Sequence, residues 1–262
     1  MPKWKLILEY EGTRYRGWQE QPNARTVQGE LRKAAEDFLE ERVEIVGSGR
    51  TDAGVHALFQ TVHLESSRRV SETVLRHAIN DRLPPDINVL GAGRVPARFH
   101  ARHDAVERFY LYQISVRRTA FGKPFVWWIK DRLDVSLMKQ AAKHFTGLHD
   151  FSAYREIDRN IDEHSSARVN VNSIEIAEAG DLILIRAGAS HFLWKMVRRI
   201  VGVIAESGRG NISPDRIPEL RHADVARLTA PPSGLFLEYV RYPGDAPPAP
   251  IFHTFSRICG IF

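Results

Sequence analysis

Residues 43–64 read VEIVGSGRTDAGVHALFQTVHL, and the predicted fold is organised around this stretch. Val43–Val46 and Ala57–Leu64 are rich in the β-branched and apolar residues that favour strands. The segment between them, Ser48–His56, contains glycines that predict a tight loop. We therefore expect two neighbouring strands whose connection carries polar side chains.

The elements on either side of these two strands complete a β-α-β-β-α-β order. Trp4–Tyr10 alternates apolar and polar residues, as a half-buried strand does. Thr26 is a suitable N-cap for a helix, a second helix is predicted from Ser71 to about Asn80, and a strand from Ile87 to Leu90. The apolar positions of the first helix are Val27, Leu31, Ala34, Ala35, Phe38 and Leu39. This order is typical of the split βαβ, or ferredoxin-like, fold, in which helices pack on one face of a sheet.

The second half of the chain has a similar order of elements. A strand is predicted over Arg108–Val116 and a helix over Phe192–Ala205. The other predicted elements are a helix over Asp134–Phe145, strands over Val169–Ile176, Leu182–Ala187 and Leu235–Tyr242, and a short helix from Ser213 to about Leu220. The predicted fold class is therefore α/β (α+β), with two ferredoxin-like units whose mixed, mainly antiparallel sheets flank a central active-site cleft.

We predict three segments along the chain. An N-terminal unit covers residues 1–104, a C-terminal unit covers residues 105–243, and a proline-rich tail covers residues 244–262. The tail contains too many prolines to join a sheet. Its apolar residues pack either on the body of the protein or on another subunit, and the sequence leaves both possibilities open. These residues are Ile251, Phe252, Phe255, Ile258, Ile261 and Phe262.

The composition excludes several classes of protein. Of the 262 residues, 43% are hydrophobic and 26% are charged, which excludes disorder as the main state. The one cysteine, Cys259, excludes an intrachain disulfide and a cysteine-cluster metal site. No apolar run approaches the roughly 18 residues of a membrane span, and the N-terminus lacks the apolar segment of a signal peptide, so we expect a cytoplasmic protein. The histidines His56, His63, His100 and His103 do not have the spacing of zinc ligands.

The basic residues of the chain are mostly arginine. The formal net charge is +5, and the 37 Lys and Arg residues comprise 8 lysines and 29 arginines. The planar guanidinium group binds phosphate bidentately and stacks on bases, so an excess of arginine favours a nucleic-acid partner. Genomic base composition also enriches arginine, and the charge alone leaves both explanations open.

The loop Ser48–His56 carries the most informative side chains. Its glycines resemble those of a phosphate-binding loop, but Val55 and His56 stand where such a loop needs Lys and Ser or Thr. Nucleoside-triphosphate binding is therefore excluded. Asp52 lies two residues after Arg50, and a nearby cation keeps a carboxylate ionised, which suits a nucleophile or an electrostatic stabiliser. The alternative is that Asp52 caps a turn and Arg50 forms a surface ion pair.

A second cluster lies on the predicted helix Phe192–Ala205. Opposite its apolar stripe, the helical spacing places Lys195, Arg198, Arg199 and Gly202. These cations suit the phosphate backbone of a nucleic acid or a buried carboxylate partner. A solvated basic face explains them equally well.

A third cluster lies on the predicted strand Arg108–Val116. Tyr110 and Tyr112 lie on one face of this strand, where aromatic rings form a platform on which bases stack. The same alternation is also that of an ordinary core strand, and the sequence leaves both interpretations open.

These clusters and several further motifs occur in the order seen in one family. From about Lys3 to Pro243 the sequence resembles the tRNA pseudouridine synthase A (TruA) family. The string Arg50-Thr51-Asp52-Ala53-Gly54-Val55-His56 is highly specific. The other motifs are Gly17-Trp18-Gln19-x-Gln21, Thr26-Val27-Gln28-Gly29, Phe99-His100-Ala101-Arg102, Asp150-Phe151, Phe192-Leu193-x-x-Met196-Val197-Arg198-x-Ile200-Val201-Gly202 and Gly234-Leu235-Phe236-Leu237.

The resemblance implies an isomerase that converts uridine to pseudouridine in the anticodon stem-loop of tRNA, at positions 38 to 40, with no cofactor and no metal. It implies that Asp52 is the nucleophile, that Arg50 helps to expel the target base and that Arg198 pairs with Asp52. It further implies that Tyr110 lies against the flipped uracil. The other substrate-binding candidates are Leu235, His56, Arg108 and Lys195.

The resemblance also implies a homodimer whose subunits bind one tRNA across a basic cleft. The alternative class is a non-catalytic RNA-binding or RNA-chaperone protein. Such a protein needs cations and stacking residues, but it does not need an ionised Asp52 in a tight loop.

The sequence departs from the family pattern just before Met196. Trp194 and Lys195 stand where the resemblance predicts Tyr and Asn, and Ser190-His191 precedes Phe192 where small or amide residues are expected. We expect the bulkier and charged side chains to change the rim of the pocket. The sequence therefore leaves open which of the neighbouring uridines is modified.

Overall fold

The computed structural model describes residues 2–156 and 166–252. Within these ranges the chain forms two compact units. Of the described residues, the first unit contains 2–106 and 236–246, and the second contains 107–156, 166–235 and 247–252.

The sheet of the first unit is built around three long strands. These are β1 (Lys3–Tyr10), β3 (His56–Glu65) and β4 (Ile87–Val95), in the antiparallel order β4-β1-β3. Two strands share the other edge of β3: β2 (Glu44–Gly47) pairs antiparallel near its end, and β10 (Leu235–Arg241) pairs parallel near its start. The strand order of β1–β4 is that of a ferredoxin-like sheet, as predicted.

Two amphipathic helices belong to this unit, α1 (Val27–Leu39) and α2 (Glu72–Asn80). Each starts at the predicted N-cap, because the side chain of Thr26 accepts a hydrogen bond from Gly29 N and that of Ser71 accepts one from Val74 N. Helix α1 contacts α2, which packs on β4. The fully buried residues of this core include Trp4, Leu6, Leu8, Leu31, Leu75 and Ile79.

The second unit has its own sheet with helices. Its strands are β5 (Glu107–Ser115), β6 (Trp127–Trp128), β7 (Gly147–Asp150), β8 (Arg168–Ala179) and β9 (Leu182–Ala189). The antiparallel order is β5-β9-β8-β7, and β6 pairs parallel with β5. The helices are α3 (Val135–Lys143), α4 (Met196–Gly208) and α5 (His222–Arg227), with α3 packed against α4 and β8. The mixed α/β fold class predicted from the sequence is confirmed.

The prediction for helix α4 was wrong in two respects. The helix begins at Met196 rather than at Phe192, because Lys195 adopts a left-handed backbone conformation with φ 61°, which a right-handed helix does not contain. Arg199 and Gly202 were predicted on a polar face, yet both are buried. At Gly202 the helix approaches another segment so closely that a Cβ would lie 1.6 Å from the carbonyl oxygen of Leu228.

The structure describes only part of the proline-rich tail. Residues 244–252, the part of the proline-rich tail that the structure describes, form no strand. The tail residues Phe255, Ile258, Ile261 and Phe262, for which packing was predicted, lie outside the described residues.

Helices α1 and α4 have 13 residues each, and within residues 2–156 and 166–252 no helix has the length and apolarity of a membrane span.

Candidate active site

Asp52 lies in the first unit, in the loop that connects β2 to β3. Its side chain is half-buried, and that of Arg50 is exposed. The carbonyl oxygen of Asp52 accepts a hydrogen bond from Val55 N at 3.1 Å, which closes a four-residue turn. Gly54 within this turn has φ 77°, a conformation that favours glycine. The turn places the Asp52 side chain on a short, defined stretch of backbone.

A neighbouring segment holds the backbone on both sides of Asp52. The amide of Trp18 donates to the carbonyl oxygen of Thr51 at 3.0 Å, and the amide of Gly54 donates to that of Tyr15 at 3.4 Å. Gly17 has φ 93°, and a Cβ there would lie 2.6 Å from the Thr51 oxygen. Only a glycine fits this close approach, which explains why the motif containing Trp18 accompanies the Asp52 loop.

Buried side chains fix the two residues that flank the turn. The hydroxyl of Tyr10 hydrogen-bonds to Thr51 Oγ1 at 2.8 Å, and the amide of Gly12 donates to His56 Nδ1 at 3.0 Å. The imidazole of His56 also stacks on the Phe236 ring with centroids 4.8 Å apart. His56 is 1% exposed, and these buried contacts position the loop. Its role in substrate binding stays a prediction.

The start of the loop is fixed by Gln60 on β3. Its side-chain amide donates to the carbonyl oxygen of Gly49 at 2.9 Å, and its Oε1 accepts from Ser48 Oγ at 2.6 Å. The amide of Ser48 donates to the carbonyl oxygen of Thr61 at 2.8 Å. Arg50 thus follows a backbone segment whose position is set by a buried glutamine.

Gln28 on α1 joins the helix to β2 and to the Trp18 segment. Its Nε2 donates to the carbonyl oxygen of Ile45 at 2.8 Å. Its Oε1 accepts from Gln19 Nε2 at 2.8 Å and from Glu20 N at 3.0 Å. Reasoning from reactive side chains missed Gln28, Gln60 and Tyr10 as functional candidates. The first of these lies in a motif that the family resemblance already singled out, and the other two had no sequence signal.

In the second unit, Tyr110 and Arg108 lie on β5. Tyr110 is 8% exposed, and its ring makes an edge contact with that of Phe192, with centroids 5.2 Å apart. The guanidinium of Arg108 donates to the carbonyl oxygen of Ser190 at 2.7 Å, so both residues contact the segment between β9 and α4.

Tyr112, two residues further along β5, has the environment of a core residue. Its side chain is fully buried, and its hydroxyl donates to the carbonyl oxygen of Pro231 at 2.7 Å. Burial raises the pKa of this phenol well above its usual value. Of the two aromatic residues predicted on one strand face, Tyr110 contacts the segment between β9 and α4, and Tyr112 bonds to Pro231.

Arg198 lies on the first turn of α4, where its Nε donates to the carbonyl oxygen of Ala230 at 2.7 Å. This contact fixes the stem of the side chain. The pairing of Arg198 with Asp52 stays a prediction. Leu235 is the first residue of β10 and is 5% exposed.

The basic residues next to Arg198 form a cluster around one carboxylate. Glu156 Oε2 lies 3.3 Å from Lys195 Nζ and also pairs with the guanidinium of Arg199. Arg199 is 2% exposed, and burial lowers its pKa while Glu156 opposes that effect. Arg199 is therefore buried and paired with a carboxylate, one of the interpretations that the sequence left open, although the Glu156 side chain itself is 30% exposed. Within residues 2–156 and 166–252, no group of His, Cys, Asp and Glu side chains is arranged to hold a metal ion.

Comparison with known proteins gives a consistent result over most of the chain. Residues 6–104 and 141–243 match the profile of a family described as tRNA pseudouridine synthase. The tRNA pseudouridine synthase A of Xanthobacter autotrophicus is 39% identical over 248 residues, which cover 92% of this chain and 100% of that protein. The protein of the same name from Methylobacterium nodulans is 40% identical over 256 residues, covering 95% and 100%.

Among solved structures, a Cbf5-Nop10-Gar1 complex is similar with a TM-score of 0.33 and 12% identity, covering 77% of this chain and 53% of that chain. This likeness is too weak to carry an argument. The profile match and the relatives are sufficient, and the chain belongs to the tRNA pseudouridine synthase family, a family of isomerases.

Proposed function

We propose that this protein converts uridine to pseudouridine in the anticodon stem-loop of tRNA, at positions 38 to 40, with Asp52 as the nucleophile. The observation that carries the proposal is the anchoring of the Asp52 loop. Backbone hydrogen bonds hold Thr51 and Gly54, on either side of Asp52, to the Tyr15–Trp18 segment. A nucleophile needs a defined position near the reacting atom, and this arrangement supplies one.

The proposed reaction is an isomerisation in which atoms and electrons balance. The carboxylate of Asp52 adds to C6 of the uracil or to C1′ of the sugar, and the bond between N1 and C1′ breaks. After the base has rotated, a bond forms between C5 and C1′, the proton leaves C5, and N1 gains a proton. The bond between the Asp52 oxygen and C6 or C1′ breaks, with its electron pair returning to the oxygen, so the free carboxylate is restored. The overall change involves no oxidation or reduction, so the balance requires no redox partner.

The other candidate residues have supporting roles in this proposal. Taking the target base out of its stack costs a few kcal/mol, which calls for an aromatic receptor and cations near the backbone. Tyr110 is the receptor for the flipped uracil, and Arg50 helps to displace the base. Arg198 pairs with the Asp52 carboxylate. The other residues that bind the substrate in this proposal are Leu235, His56, Arg108 and Lys195. Two further sequence predictions belong to the proposal: the protein is a homodimer, and it acts in the cytoplasm.

The test uses unmodified tRNA that carries tritium at C5 of uridine, because tritium leaves only when C5 forms its new bond. We expect wild-type protein to release tritium and Asp52→Asn to release none, with both binding tRNA. The matched control is Asp81→Asn, which removes an exposed carboxylate that follows α2 in the same unit.

The position of the product is mapped by carbodiimide treatment and primer extension. Stops confined to the anticodon arm support the full proposal, and stops elsewhere overturn its choice of site. If wild-type protein binds tRNA but releases no tritium, the non-catalytic RNA-binding class replaces the proposal.

A further inference from the structure

Trp194 is an exposed aromatic residue on the turn that leads into α4. Its side chain is 45% exposed, although the fold buries most of its other large aromatic residues. Nearly half of the ring's surface is therefore accessible to a ligand.

Two backbone hydrogen bonds hold the turn that carries Trp194. The amide of Met196 donates to the carbonyl oxygen of Leu193 at 3.0 Å, and the amide of Glu156 donates to that of Trp194 at 2.9 Å. Lys195 has the left-handed conformation that reverses the chain before the helix begins. A ring on such a turn is presented to solvent in a defined position, which lowers the entropy lost when a ligand binds.

Ion pairs hold the side chain next to Trp194. The Lys195 ammonium lies 5.3 Å from the centroid of the Trp194 ring and 3.3 Å from Glu156 Oε2. Glu156 also pairs with the buried Arg199, so its single negative charge is shared between two cations. Among these three described side chains, two positive charges face one negative charge, a balance that favours an anionic partner.

The same segment leads back to the residues proposed to bind the target base. The carbonyl oxygen of Ser190 accepts from Arg108 at 2.7 Å, and the Phe192 ring contacts that of Tyr110. Trp194 lies two residues beyond Phe192 and four residues before Arg198. One short segment of the second unit thus joins the proposed receptor for the flipped base to the exposed ring.

We propose that Trp194 is a stacking platform for an unpaired base that flanks the target uridine, and that Glu156 positions it through Lys195 and Arg199. The inference rests on the proposed function, because it takes RNA as the substrate. A flat aromatic ring beside a fixed cation is suited to a nucleobase, since every base offers a π-face and its chain carries phosphate.

The test measures RNA binding in the Asp52→Asn background, where turnover does not interfere. The probe is an anticodon stem-loop RNA with one uridine at the target position, compared with RNAs in which the 5′ or the 3′ flanking base is replaced by an abasic residue. We expect Trp194→Leu to raise Kd roughly tenfold on the full RNA, or about 1.4 kcal/mol, while Trp194→Phe stays near wild type. On one of the two abasic RNAs, Trp194→Leu is expected to change Kd less than about twofold.

The matched control is Trp128→Leu. Trp128 lies in the same unit, is 42% exposed and has the Arg118 guanidinium 5.7 Å from its ring centroid, but it lies on β6 rather than on the turn before α4. We expect this change to leave Kd unaltered. For the positioning role, Glu156→Gln should also raise Kd, and less so when Trp194→Leu is already present.

Three outcomes overturn the inference. An unchanged Kd for Trp194→Leu removes the contact, and an equal loss on the full and abasic RNAs makes the residue structural. A loss of self-association in Trp194→Leu, with unchanged RNA affinity per subunit, assigns the ring to a protein interface. Pseudouridine formation by wild-type protein is measured separately, so failure of the proposed function is distinguished from failure of this inference.

Discussion

The amide of Trp18 donates a hydrogen bond to the carbonyl oxygen of Thr51 at 3.0 Å, directly before Asp52. This one contact joins two motifs that lie more than 30 residues apart in the sequence. It explains why a tryptophan segment without reactive side chains accompanies the aspartate loop.

Gly17→Ala should disturb the Asp52 loop more than it disturbs the fold. The new Cβ would lie 2.6 Å from the Thr51 oxygen, and the residue has φ 93°. We expect a fall of at least tenfold in the rate of pseudouridine formation and a loss of about 2 kcal/mol in the free energy of unfolding. The rate is measured by tritium release and the stability by urea unfolding.

Gly210→Ala provides the control for Gly17→Ala. Gly210 has φ 78°, but no atom lies within 4 Å of its added Cβ, so this change has the backbone strain without the collision. We expect a cost of about 1 kcal/mol and an unaltered rate. Equal effects of the two changes on the rate would show that the contact with Thr51 does not position the loop.

Gln28→Leu should destabilise the first unit and reduce activity. Gln28 is buried and bonds to the carbonyl oxygen of Ile45 and to the amide of Glu20, both of which lose a partner in this variant. Each buried polar group left unpaired costs about 1–3 kcal/mol, so we expect a loss of about 2 kcal/mol or more. Urea unfolding measures this loss in the free energy of unfolding, and tritium release measures the activity. Gln140→Leu, on the exposed face of α3, should change neither property, and a similar cost there would refute the assignment.

Arg198→Ala should reduce catalysis far more than stability. Its Nε donates a hydrogen bond to the carbonyl oxygen of Ala230, a contact worth about 1 kcal/mol. If Arg198 also pairs with Asp52 during the reaction, the rate should fall by about 100-fold or more. Single-turnover rates and urea unfolding are compared with those of Arg227→Ala, an exposed arginine on α5. A rate like that of the control would make Arg198 part of a solvated face.

Local patterns predicted the helix starts that depend on neighbouring residues. Thr26 and Ser71 cap their helices through bonds three residues away, and the predicted apolar positions of α1 are buried except for Phe38. The predicted start of α4 was wrong, because the pattern of apolar residues does not indicate that Lys195 has a left-handed backbone conformation. Arg199 was placed on the polar face because its carboxylate partner, Glu156, lies 43 residues earlier in the chain.

In the candidate site, too, features set by neighbouring residues could be predicted and features set by distant residues could not. Asp52 was predicted from its motif, because the candidate reactive group and its glycines are contiguous, and its role stays a prediction. Gln60 and Tyr10 were missed because each reaches the loop from a strand, and the partners are 11 and 41 residues away. Side chains that position a loop are defined by the fold, and a single sequence gives no spacing from which to infer them.

His63 should make stability depend on pH between about 6.5 and 4. It is 1% exposed on β3, its Nδ1 accepts from Ala101 N at 3.0 Å, and burial with the charges of Lys3 and His100 lowers its pKa to about 4. The carboxylates of Glu65 and Asp104 oppose this shift. An unfolded histidine has a pKa of about 6.5, so below that pH the unfolded chain binds a proton that the folded chain does not.

Stability is therefore expected to be highest above about pH 6.5 and to fall as the pH decreases towards 4, by on the order of 3 kcal/mol from His63. His63→Asn retains a hydrogen-bond acceptor for Ala101 N and cannot titrate, so its stability should change less with pH. Urea unfolding at about pH 7.5 and about pH 5 measures the difference, with His77→Asn, an exposed histidine on α2, as control. Because the fall comes from taking up a proton in the unfolded chain, an unchanged pH dependence in His63→Asn would place its origin in other groups, such as His100, whose pKa burial also lowers.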